Sequence, residues 1–70
     1  MNTLDDRLLA AHAADDRWAL VDLYAEAADQ TSDEVARGFY LTHAYVFALE
    51  VGHPDVPALH GRLKAMGREA

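Results

Sequence analysis

An all-α fold of four helices, set in two antiparallel hairpins with the third helix central, is the architecture this sequence predicts, and three observations predict it. Helix formers, chiefly Ala and Leu, run through the 70 residues. Breakers are few, two Pro and four Gly, and five of these six fall after residue 51, at Gly52, Pro54, Pro57, Gly61 and Gly67. Apolar side chains recur at helical spacing in the segments between candidate caps. A chain of this length holds a single core, so residues 1–70 read as one domain, with hairpin 1 over about 3–29 and hairpin 2 over about 32–67.

Helix 1 begins at Thr3, whose hydroxyl is placed to cap the backbone, with Asp6 three residues on in a capping-box-like relation; Leu4, Leu8 and Ala11 make its apolar stripe, and it ends near Ala13. Helix 2 takes Asp15 or Asp16 as N-cap and carries Trp18, Val21, Ala25 and Ala28 on one stripe, with Leu20, Leu23, Tyr24 and Ala27 beside it. Thr31 and Ser32 open helix 3, with Glu34 placed for a capping box from Thr31. This helix runs to about Val51, where Gly52 supplies a left-handed C-terminal residue and Pro54 stops continuation. Asp55 is the best cap for helix 4, since it leaves Pro57 in the first turn, where a missing N–H costs little. Val56, Leu59, Leu63 and Met66 form its stripe and Gly67 ends it.

Asp16-Arg17-Trp18-Ala19-Leu20 and Asp55-Val56-Pro57-Ala58-Leu59 share the pattern Asp-x-x-Ala-Leu at a spacing of 39 residues, and the same offset sets Tyr24 against Leu63 and Ala13 against Gly52. On Asp16, Trp18-Ala19-Leu20, Tyr24 and Ala27 the chain resembles the second helix of a tetratricopeptide-type repeat, with Ala19 at the small-residue position and Ala58 as its equivalent in the second hairpin. Pro57 and Gly61 depart from that pattern, as does helix 1, which lacks the large aromatic and the Leu-Gly pair. The resemblance implies a protein-binding scaffold and carries over no catalytic residue.

Helix 3 has two apolar sides. A wheel at 100° per residue gathers Val35, Gly38, Phe39, Leu41, Tyr45, Val46 and Leu49 on one broad face and sets Ala36, Tyr40, Ala44 and Phe47 on most of the other. Four of the six aromatics lie on this helix. Such a helix is central in its own domain or is covered by another chain. On the second reading, Tyr40, Ala44 and Phe47 are the contact residues; if the hairpins instead form a concave groove, Trp18 and Tyr24 take that role. Small size favours completion by another chain, because a core this small is often rescued by oligomerisation, so the expected partners are a protein or a second copy in a homodimer.

Twelve acids stand against six bases, a formal net charge of -6. Residues 1–34 hold nine acids and two bases, whereas residues 35–70 hold three acids and four bases, so the acidity belongs to the first hairpin. A nucleic-acid surface needs clustered Lys and Arg, and Arg62, Lys64 and Arg68 supply too few for one. The longest apolar-rich stretch, Phe39 to Leu49, is too short to span a membrane. The N-terminus, with two Asp and no apolar run, is unlike a signal peptide, and the expected location is the cytoplasm.

Chemistry has little to stand on. The absence of Cys removes disulfides, thiolate metal sites and a thiol nucleophile. No Gly-rich phosphate loop and no nucleophile beside a base is present. His43 and Glu50, seven residues apart on helix 3, are the basis of an alternative reading as a metal- or small-ligand-binding protein. Glu50 and His53 have Glu-x-x-His spacing, but Gly52 ends the helix between them. The expectation is therefore an interaction module or accessory subunit acting through apolar helix contacts, with no enzymatic activity and no cofactor.

Overall fold

The caps define the elements. In a computed structural model, which describes residues 3–67, four α-helices follow one another and no strand occurs among the described residues: α1 (Leu4–Ala13), α2 (Arg17–Gln30), α3 (Glu34–Val51) and α4 (Val56–Ala65). Thr3 caps α1 by accepting the Asp6 N–H at 3.1 Å, and Asp16 caps α2 by accepting that of Ala19 at 3.1 Å. The turn between them contains no glycine. Asp15 adopts the left-handed conformation, φ +52°, which aspartate tolerates better than most residues. Arg68 lies outside the described residues.

Helix α3 starts later than the spacing of Thr31 and Glu34 predicts. Asp33 is its cap, accepting the Val35 N–H at 3.0 Å, while the Thr31 hydroxyl accepts the Asp33 N–H at 3.1 Å and folds the connection from α2. A carboxylate beside the helix N-terminus also matches the dipole better than a hydroxyl, which explains why Asp33 wins the position. Arg37 reaches back to the end of α2 and donates to the carbonyls of Ala28 and Thr31 at 3.3 and 2.8 Å. The other end behaves as expected: Gly52 is left-handed at φ +66°, and the His53 N–H returns to the Ala48 carbonyl at 2.9 Å. Asp55 precedes α4 without a side-chain cap, because its carboxylate lies toward His53, and Pro57 sits in the first turn. Helix α4 closes at Ala65, two residues before the left-handed Gly67.

Sequential helices pack on one another, and α2 against α3 is the most extensive pairing. The centre is therefore a helix pair, with α1 flanking α2 and α4 flanking α3. Small residues dominate the seam: Ala28, Ala44 and Ala48 are sealed with Val21 and Leu41, and α4 adds Leu59 and Leu63. Alanine at these positions lets backbones approach closely, and the resulting body is flat, with Cα extents of 34 × 28 × 15 Å. Since a helix with its side chains is about 10–12 Å across, a slab this thin cannot surround its central helices. One face of α3 stays open.

Candidate functional site

The open face is not the one the wheel suggested. Ala44, expected as a contact residue, is fully buried, and it shares the sealed side of α3 with Gly38, Leu41 and Ala48. Tyr40 and Phe47 are half-buried and engaged within the chain. Phe47 stacks on Tyr24 with ring centroids 6.0 Å apart, Tyr40 lies 6.3 Å from the same ring, and His12 meets the edge of Phe47 from α1 at 6.2 Å. Tyr24, named with Trp18 as the groove alternative, is thus the hub of an aromatic cluster, and its hydroxyl lies 2.8 Å from His12 Nε2. Trp18 is half exposed, with one ring face against His53 at 4.4 Å.

Outward-facing instead are Val35, Phe39, Val46 and Leu49, which remain 68, 57, 46 and 54% exposed. With Thr42 between them, their positions advance by four, three, four and three residues, a mean of 3.5, the repeat that holds side chains in one line along a helix. Leu9 and Trp18 are the remaining large apolar side chains exposed among the described residues, and both belong to the first hairpin. The stripe carries no charge from Val35 to Leu49, because the one charged side chain of that interval, Arg37, is bonded to the carbonyls ending α2. Thr42 hides its polarity by donating to the Gly38 carbonyl at 2.8 Å, which turns its methyl group into part of the surface. A shallow cavity of about 150 Å³ opens beside Val46, lined also by Thr42, His43 and Phe47.

The 3.5-residue spacing was present in the sequence, and so was the complementary row of small residues at Gly38, Ala44 and Ala48. A wheel weighted by hydrophobicity alone favours burying the larger side chains. Close packing of helices at alanines reverses that preference, and the aromatic rings of Tyr40 and Phe47 are consumed at the flank by Tyr24.

A larger depression, about 450 Å³, lies between α1 and α2 over Ala10, Ala11, Ala14, Ala19 and Leu23, with Arg7 and two aspartates at its margin. Its floor is mostly alanine methyl groups. These offer a partner little apolar area per residue, so the groove is the weaker docking surface.

The titratable groups divide among separate tasks. His43 donates from Nδ1 to the Phe39 carbonyl at 2.9 Å, with its ring against Phe39 and Tyr24, while Glu50 pairs with Arg17 at 3.6 Å. Each thus has its own structural partners. Among the described residues, Asp22, His53 and Asp55 are the group that could offer a metal three ligands, with ligand atoms within 4.8 Å of one another. His53 is buried, and its Nδ1 accepts the Asp55 backbone N–H at 3.0 Å. Neutral imidazole then carries its proton on Nε2, which faces the Asp22 carboxylate at 3.5 Å. Both ring nitrogens are thus engaged within the chain, and His53 acts as a strut joining α2 to the turn before α4.

Compared with protein-family models, curated proteins and solved structures, the chain matches none. No helix among the described residues is long and apolar enough to cross a membrane.

Proposed function

We propose that this chain is a small cytoplasmic interaction module or accessory subunit, without catalysis of its own, that binds protein through the outward face of α3. The observation that carries this reading is the line Val35, Phe39, Val46 and Leu49, set on one 18-residue helix and left between 46 and 68% exposed. Four such side chains leave on the order of 400 Å² of contiguous apolar surface, a size at which the largest patch of a small protein is often functional. A partner that covers it gains apolar burial without desolvating a charge. The tetratricopeptide-like pattern on α2 belongs to the same functional class, and the acidic first hairpin keeps the uncovered remainder of the module soluble.

Capture of a binding protein by the intact chain, repeated with the purified partner and the Phe39→Glu/Val46→Glu variant, tests the reading. Loss of binding by a variant of unchanged helicity supports the α3 surface. Retained binding in that variant, with loss in Leu9→Glu, would move the contact to the first hairpin.

A further inference from the structure

We infer that the partner covering α3 is a second copy of this chain, paired antiparallel along Val35, Phe39, Thr42, Val46 and Leu49 about a two-fold axis at Thr42. The inference rests on the reading of this face as the contact surface and names its occupant.

The stripe is self-complementary. Running two copies in opposite directions through Thr42 sets Val35 against Leu49 and brings Phe39 to within one residue of Val46 across the seam, so each larger side chain has a smaller one beside it. A 3.5-residue repeat is the spacing at which two helices interlock over their length, and the interval from Val35 to Leu49 is about 21 Å long at 1.5 Å per residue. A parallel pair would place Phe39 on Phe39 and align the two helix dipoles unfavourably.

Charge points the same way. A chain of net charge -6 should repel its own copy, yet nine of its acids lie in residues 1–34 while residues 35–70 are nearly neutral. Pairing through α3 joins the neutral halves and leaves both acidic hairpins outside. At each end of the antiparallel seam Glu34 of one copy approaches Glu50 of the other, and Glu50 already holds Arg17 at 3.6 Å, so the incoming carboxylate meets an ion pair. The stripe offers no charge by which to select an acidic or basic partner. What it requires is a straight, uncharged, apolar helix face of equal length, and this chain carries one.

Area is consistent with a dimer of modest strength. The apolar stripe supplies about half of the roughly 800 Å² per partner of a standard interface, and the exposed edges of Ala36, His43 and Glu50 flank it. Contacts of this size belong to reversible association.

The test is the mass in solution of the full chain across about a hundredfold dilution, beside Phe39→Glu/Val46→Glu and a Thr42→Cys variant in this otherwise cysteine-free protein. The expected result is twice the mass of one chain at high concentration, self-association weakened at least about a hundredfold in affinity by the paired glutamates, and a disulfide-linked dimer of Thr42→Cys on mild oxidation. Mixed Val35→Cys and Leu49→Cys chains should cross-link to each other in preference to like with like. A single-chain mass throughout would overturn the second copy as partner. In that case the capture experiment above still decides the fate of the α3 surface, since a foreign partner lost on Phe39→Glu/Val46→Glu would retain the module reading without self-association. Preferred Val35–Val35 cross-links would overturn the antiparallel pairing.

Discussion

Phe39 and Ala44 lie on opposite faces of α3, Phe39 57% exposed and Ala44 with no exposed surface. The bulkier, more apolar side chain is outside and the methyl group inside. This inversion follows from helices that meet at alanines in a slab only 15 Å deep, and it assigns opposite consequences to substitutions only a few residues apart.

Substitution on the sealed face should be costly in both directions. Ala44→Leu inserts three carbons where α2 and α3 touch, and overpacking of this kind costs about 1–3 kcal/mol. Leu41→Ala removes a fully buried side chain and should cost about 2–5 kcal/mol. Urea unfolding followed by circular dichroism measures both. A neutral Ala44→Leu would mean that the helices do not meet there.

The aromatic flank should contribute to stability and not to binding. Phe47→Ala loses its stack on Tyr24 and its contact with His12; with Phe47 half-buried, a loss of about 2 kcal/mol is expected. For a domain of this size that lowers the melting temperature by roughly 10 °C. Phe39→Ala, lacking that support, should leave the melt of the isolated chain within about 2 °C, as for an exposed position.

Capping of α3 separates two neighbouring residues. Asp33→Ala should destabilise by about 1 kcal/mol, since its carboxylate accepts the Val35 N–H, whereas Ser32→Ala should fall within about 0.5 kcal/mol of the parent. Equal losses at the two positions would contradict the observed start of the helix.

The histidines should show different tautomers. Nitrogen-15 correlation spectra at a pH where the rings are neutral should find the proton of His53 on Nε2, facing Asp22, and that of His43 on Nδ1, facing the Phe39 carbonyl. Added zinc should leave the His53 signals in place. Stoichiometric zinc binding with a shift of His53 would refute the strut assignment.

Element boundaries were largely legible because local chemistry writes them: Thr3, Asp16, Gly52 and Pro57 each act within one turn of their own position. The Asp33 cap is hidden in the sequence because Thr31 and Glu34 have capping-box spacing, and only the backbone conformation distinguishes the two starts. The orientation of α3 was not legible from hydrophobicity, since both of its sides are apolar and the choice depends on how closely α2 approaches. Gly38, Ala44 and Ala48 were the available clue: small residues on one side of a helix mark a close crossing. The grouping of Asp22 with His53 joins α2 to the turn before α4 across 31 positions, a juxtaposition that no local pattern encodes.

Methyl chemical shifts of the full chain, followed from low to high protein concentration, test most directly that the outward face of α3 is the contact surface and that a second copy covers it. The methyl signals of Val35, Val46 and Leu49 should move together along one binding curve, while those of Leu20, Val21 and Leu41 stay fixed. Shifts confined to Leu9 and Leu23 of the first hairpin, or none at any concentration, would contradict the account.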